Sequence, residues 1–268
     1  MSRLKTTLLL AFCFLCACES PSGRGESETA AAKTSALAPV IPFAELTTDF
    51  KTWWDYHYEQ INLSADFVPL DTAGVEIPRV DFVKALSTGE FITIEVRGEA
   101  APLTYQLFHL PRQDDPTIAA TIKNVTAYDL QHLLMVGQPF PEFTATDLSG
   151  RPVSNESLLG KTTVLKTWFT SCKPCIAEFP QVNQLVARYK DKPEVQFISL
   201  ALDQAPALKM FLAKHPLSYT TLADQGDLIR EQLQLKAFPT HLVVGPDGKI
   251  LKVINKLARL EAYLEETI

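Results

Sequence analysis

Cysteine is scarce where a fold would need it. Of the five cysteines in 268 residues, three lie before residue 19, which leaves Cys172 and Cys175 alone downstream. A structural disulfide needs a partner elsewhere in the fold, and neither of these has one, so the pair must serve itself. Long apolar runs are missing too. The run from Leu8 to Cys18 is too short to stay in a bilayer as a permanent helix, which takes about 20 apolar residues. Positive charge is also short: 25 Lys and Arg stand against 31 Asp and Glu, for a net charge of −6. No basic patch supports nucleic-acid binding.

What the start of the chain does contain is a short basic stretch with Arg3 and Lys5, followed by that apolar run. Residues 1–17 therefore read as a signal peptide. Its end, Leu15-Cys16-Ala17-Cys18, resembles a bacterial lipobox, with an aliphatic residue at −3 and a small one at −1. The resemblance implies cleavage before Cys18 and lipidation of its thiol and amine. The competing reading is an ordinary secretory signal whose cysteines are incidental. Residues 18–39 are rich in Ser, Gly, Ala and Glu without apolar periodicity, as a flexible tether would be. Losing Arg3 and Lys5 takes the formal charge from −6 to −8.

The remainder is long enough for two domains. Residues 40–135 carry no motif with attached chemistry and are predicted to form a small α+β domain. Phe50, Trp53, Trp54, His57 and Ile61 fall near helical spacing, while Tyr56 and Tyr58 also suit a strand, so both forms stay open. Residues 80–86 read as a short helix ended by Ser87-Thr88-Gly89, and residues 91–96 and 103–110 as strands joined by a turn at 98–102. The double Trp is expected to be buried more than to form a partner surface.

From residue 136 the pattern becomes one of alternating strands and helices. Residues 143–148 and 162–169 read as strands, and 195–202 is a near-continuous apolar run suited to a strand buried on both faces. Residues 205–214 and 227–235 read as helices. Strands 240–244 and 249–253 flank Gly245-Pro-Asp-Gly248, a hairpin signal, and residues 257–264 make a closing helix. Between the 162–169 strand and the helix after it lies Cys172-Lys173-Pro174-Cys175. A Cys-x-x-Cys pair at such a junction is the sign of a thioredoxin-like redox site. There Cys172 sits at a helix N-terminus, where unpaired N–H groups and the helix dipole stabilise a thiolate. Cys175, one turn further in, can close a small disulfide ring.

Residues 136–268 resemble the TlpA/ResA-like branch of thioredoxin-fold proteins, the membrane-tethered thiol–disulfide oxidoreductases of bacteria. Four matches carry the resemblance: Gly137-x-Pro139-x-Pro141-x-Phe143, Cys172-x-x-Cys175, Glu178-Phe179-Pro180, and Phe238-Pro239-Thr240. The layout, with a segment ahead of the oxidoreductase domain, is similar to versions common in Bacteroidetes. The fold class implied is α/β, a central mixed sheet flanked by helices, preceded by the small α+β domain.

The resemblance also implies roles. Cys172 is the attacking thiolate and Cys175 the resolving thiol, the two forming a Cys172–Cys175 disulfide when oxidised. Pro239 is cis and faces the cysteines, with the Phe238 backbone offering strand-like hydrogen bonds to substrate. Thr240, Ser171, Lys173 and Pro174 complete the substrate-facing set. Glu178 is placed to take or hold the proton of a buried thiol, and burial is expected to raise its pKa towards neutrality. No cofactor or metal is implied. The partners implied are protein disulfides or dithiols, a membrane electron donor if the protein is a reductant, and the membrane itself through the lipid anchor. The place implied is the cell envelope, facing the periplasm.

Three positions depart from the family pattern. Ser171 stands where Trp is usual, Phe238 is bulkier than the common Thr or Val, and Lys166 stands where thioredoxins carry a buried acid. Lys166 is expected to snorkel to the sheet edge. Two rivals to the enzyme are a Cu(I)-handling protein using the two thiols and His241, and a thioredoxin-fold adaptor lipoprotein. His241 is expected to be a satisfied structural residue. A peroxiredoxin is disfavoured, because no Pro-x-x-x-Thr-x-x-Cys pattern leads to Cys172.

Overall fold

The computed structural model describes residues 37–99, 101–111 and 116–268. Residues 1–17, Cys18 and most of the expected tether lie outside the described residues. The first part builds β1 (Ala38–Pro39), α1 (Phe43–Leu46), α2 (Phe50–Gln60), β2 (Val68–Leu70), α3 (Arg79–Leu86), β3 (Phe91–Arg97), β4 (Thr104–His109) and α4 (Pro116–Met135). Its sheet runs β1-β3-β4-β2, antiparallel except for the parallel pair of β2 with β4.

The ambiguous aromatic stretch is helical. Asp49 caps α2 by accepting the Thr52 N–H at 2.9 Å, and Trp53 is fully buried among Phe50, Trp54 and His57. Placing Ile92, Ile94, Tyr105, Leu107, Phe82 and Ile118 around it makes one apolar core of sheet and helices. Gly89, at φ +80°, ends the turn after α3 where a Cβ would lie 2.6 Å from the Ala119 carbonyl oxygen of α4. Only glycine lets these two backbones approach so closely.

The second part adds β5 (Thr144–Thr146), β6 (Pro152–Ser154), β7 (Thr162–Trp168), α5 (Lys173–Ala177), α6 (Phe179–Arg188), β8 (Val195–Ala201), α7 (Ala205–Leu212), β9 (Thr220–Leu222), β10 (Thr240–Val244), β11 (Ile250–Ile254) and α8 (Leu257–Thr267). Five strands form a mixed sheet in the order β11-β10-β7-β8-β9, with β7, β8 and β9 parallel and β10 antiparallel to both its neighbours. One face packs Leu165, Ile198, Leu200 and Leu242 against Phe140, Leu158 and Ile229. The other packs Val164, Phe197 and Val243 against Val182 and Leu185 of α6 and Leu260 and Leu264 of α8.

Two expectations need correction here. The helix foreseen over 227–235 is a single π-helical turn, Leu228–Gln232, followed by Gln234 in the left-handed region at φ +54°. The helix carrying the cysteines is not continuous but divides at Glu178 into α5 and α6. Pro180 explains the break: it lacks an N–H and its ring displaces the carbonyl one turn earlier, which is tolerated only in the first turn of a new helix.

Candidate active site

β7 delivers the chain to the site. After Trp168, the loop is clasped from β8's far end by Asp203, whose carboxylate accepts the Thr170 N–H and hydroxyl, both at 2.7 Å. Asp203 is not legible as a site residue from the sequence, since a lone acid after a strand carries no pattern. The Cys172 N–H then donates to the Phe169 carbonyl at 3.0 Å, and Cys172 becomes the N-cap of α5 with Pro174 in the first turn. Its sulfur accepts the Cys175 N–H at 3.3 Å. This is the helix-terminus placement that favours a thiolate.

Cys172 and Cys175 are joined as a disulfide with Cα atoms 5.3 Å apart. Cys175 is fully buried, whereas Cys172 keeps 4% of its surface open. Lys173 and Pro174 beside them are exposed, as is Ser171. Beneath lie Trp168, Phe179, Ala201 and Leu208, with Trp168 and Phe179 meeting edge to face at 5.1 Å. The Phe238–Pro239 bond is cis, and Phe238 packs edge-on against Phe169 at 5.2 Å. Thr240 is not at the surface. It is fully buried, its N–H donating to the Thr167 hydroxyl at 3.1 Å and its own hydroxyl donating to the Ala237 carbonyl at 2.8 Å.

Below the cysteine helix the sheet carries a polar row. In register across four strands stand His241, Lys166, Ser199 and Thr221, all essentially buried. Ser199 donates to Thr221 at 2.9 Å. Lys166 does not snorkel: it lies on the central strand with no exposed surface and pairs with the Glu178 carboxylate. β7 is the middle strand of five, with two strands on either side of it, so no stem could reach the edge. The same carboxylate oxygen, Oε2, is 3.2 Å from His241 Nε2. Glu178 sits at the α5–α6 break, half-buried with its side chain 17% exposed.

These partners reverse the expected shift of Glu178. Burial raises its pKa, but the hydrogen bond and charge of His241 and the ammonium of Lys166 outweigh that and hold it below the usual glutamate value. Lys166 is itself pulled down by burial, against the pull of Glu178. His241 is pulled down by burial and by the Lys166 charge, against its hydrogen bond to Glu178. Nor is His241 satisfied: its Nδ1 is buried without a hydrogen-bond partner among the described residues.

A five-stranded mixed sheet, a helix opening on a Cys-x-x-Cys disulfide and a cis-proline loop together define a protein of thioredoxin-like fold. Comparison with known proteins is consistent. Residues 136–253 match the AhpC/TSA family. "Thiol-disulfide oxidoreductase ResA" of Bacillus cereus is 34% identical over 137 residues, covering 50% of this chain and 79% of that one. "Soluble secreted antigen MPT53" of Mycobacterium tuberculosis is 33% identical over 120 residues, covering 44% and 68%. Among solved structures, a putative thiol:disulfide interchange protein DsbE from Chlorobium tepidum aligns with TM-score 0.44 and 28% identity, over 49% of this chain and 94% of that one. The chain belongs to the ResA-like family of thioredoxin-fold thiol–disulfide oxidoreductases.

Proposed function

We propose that this oxidoreductase is a lipid-anchored protein of the cell envelope, facing the periplasm, that reduces protein disulfides through Cys172 and Cys175. Cys18, in its lipobox, is the anchor, residues 18–39 are the tether, and residues 40–135 and 136–268 are the two domains beyond it. No helix of the described residues is long and apolar enough to cross a membrane. The observation that carries the redox reading is the disulfide capping α5, with Cys175 fully buried and Cys172 keeping 4% of its surface open.

In the dithiol form, the Cys172 thiolate attacks one sulfur of a substrate disulfide and expels the other as a thiolate. The mixed disulfide that forms is then attacked by the Cys175 thiolate at the Cys172 sulfur. The second substrate sulfur leaves as a thiolate, the substrate has gained two electrons, and the Cys172–Cys175 disulfide remains. A dithiol donor at the membrane must return those electrons. Glu178, held as a carboxylate, is the base available to the Cys175 thiol proton. Pro239, with Thr240 anchoring it from below, shapes the loop beside the cysteines. Phe238, Ser171, Lys173 and Pro174 form the surface a substrate strand meets. The Cu(I) reading draws no support from His241, whose Nε2 is engaged by Glu178.

Trapping decides the order of attack. Cys175→Ser accumulates mixed disulfides with client proteins, whereas Cys172→Ser accumulates few and loses insulin reduction. Client trapping by Cys172→Ser instead would overturn the assignment.

A further inference from the structure

α2, α4, the end of β11 and the first turn of α8 line a second polar site, an open pocket of about 260 Å³ well apart in sequence from the cysteines. Its charged groups are half-buried and make no salt bridge with one another among the described residues. Asp129 of α4 feels only burial and the charge of Arg259, with no hydrogen bond among the described residues, and its pKa is raised to about 6. Arg259 donates through Nη2 to the Ile61 carbonyl at 2.6 Å, and interacts with Asp129 by charge alone. A carboxylate and a guanidinium thus line one cavity without touching. His57 lines it as well, and its buried Nδ1 has no partner.

The α8 end is electropositive beyond Arg259. Lys256 is its N-cap, and the first turn contains no acidic residue. Cations at a helix N-terminus face the positive end of the dipole, an arrangement that an anion relieves. Lys256 donates to the Tyr58 carbonyl and stands 3.3 Å over the Tyr58 ring, which is 47% exposed at the mouth. Trp54, Leu63 and Val253 supply apolar wall.

An anion alone would be drawn to Arg259 but repelled by Asp129. A cation alone would satisfy Asp129 but add to the positive charge at Arg259 and Lys256, which Glu59 offsets only at a distance. A molecule carrying both charges meets both ends, and its apolar part has somewhere to go. We propose that this cavity binds a small zwitterion of the α-amino-acid class, its carboxylate at Arg259 and the first turn of α8, its ammonium at Asp129, its apolar side chain against Trp54, Leu63 and Val253. The volume lies just below the usual range for ligand pockets, which suits a single amino acid.

The probes are L-phenylalanine and its two half-molecules, 3-phenylpropionate and 2-phenylethylamine, titrated calorimetrically into the full chain at pH 7. L-Phenylalanine should bind at least about tenfold tighter than either half, the loss expected when one charged contact is missing. Asp129→Asn should weaken L-phenylalanine by a similar factor and leave 3-phenylpropionate unharmed. Arg259→Gln should abolish binding of both, with thermal unfolding followed to show that the variant is folded. If it is not, the comparison of whole and half ligands on the parent protein still decides. Absence of L-phenylalanine binding, or 3-phenylpropionate binding as tightly as L-phenylalanine, overturns the proposal.

Discussion

Two carboxylates on helices, Glu178 and Asp129, are both drawn out of water beside basic side chains, yet their pKa values move in opposite directions. The difference is contact. Glu178 Oε2 is held by Lys166 and His241 together, so the ionised form is bonded in place. Asp129 has its guanidinium at a distance and nothing bonded to its oxygens among the described residues, so burial prevails. Proximity of a cation does not by itself compensate desolvation; a direct, hydrogen-bonded pair does. The closed cluster lies at the α5–α6 break, and the open one lines a cavity.

The largest effect should come from breaking the closed cluster. Lys166→Met removes the ammonium and leaves the buried carboxylate with a neutral partner. Breaking a buried pair from one side costs about 3–5 kcal/mol, so urea unfolding at pH 7 should show a loss of that order. The double variant Lys166→Met, Glu178→Gln should regain much of it, because no charge is then left uncompensated. A single-variant loss below about 1 kcal/mol would mean that the pair is solvated after all, since exposed pairs contribute no more than that.

A middling effect of the opposite sign should follow from the open carboxylate. The folded pKa of Asp129 is about 6 against 3.8 for the free group, so between these values the folded protein keeps a proton that the unfolded chain has lost. Stability therefore falls as pH rises through that window, and the deficit persists at pH 7. Asp129→Asn should stabilise the protein at pH 7 by about 3 kcal/mol and have little effect below pH 4. His57 and His132, both pulled down by burial to about 4, titrate across the same range with the opposite slope, because the unfolded chain takes up their protons first. The readout must therefore be the difference between variant and parent at each pH. A variant that is less stable at pH 7 would place a bonded cation on Asp129.

How much of this can be read from the residues differs between the two clusters. The cis proline at 239 is legible only through the family resemblance, while the cysteine pair and the hairpin at 245–248 announce themselves by spacing and by turn chemistry. Lys166 does not. β7 is buried on both faces, so alternation carries no inside and outside, and the expected route to the sheet edge is closed by its neighbours. The sign of the Glu178 shift is invisible in the sequence for a related reason: His241 meets it from 63 residues away, through a register that only the sheet defines. α4 gives no clear signal because its buried positions, Ile118, Ile122, Thr126 and His132, form a thin stripe in a helix whose other residues are also mostly apolar or small. Asp129 is hidden with it.

The smallest effect should distinguish which base in the closed cluster carries the charge. His241→Leu removes the hydrogen bond from Nε2 to Glu178, which for a charged acceptor is worth about 1.5–3 kcal/mol. It also removes the buried, unpartnered Nδ1, whose desolvation costs a similar ~1–3 kcal/mol. With His241 neutral and Lys166 charged, the two contributions oppose one another and unfolding free energy at pH 7 should change by less than about 1 kcal/mol. With the proton on His241 and a neutral Lys166, the same substitution would delete the counter-ion of Glu178 and cost what Lys166→Met costs. The two variants measured side by side in urea thus assign the charge: a large loss for Lys166→Met with near silence for His241→Leu places it on the lysine, and the reverse order places it on the histidine. The first is expected, because burial pulls both groups down but the ammonium starts from 10.5 and the imidazole from 6.5.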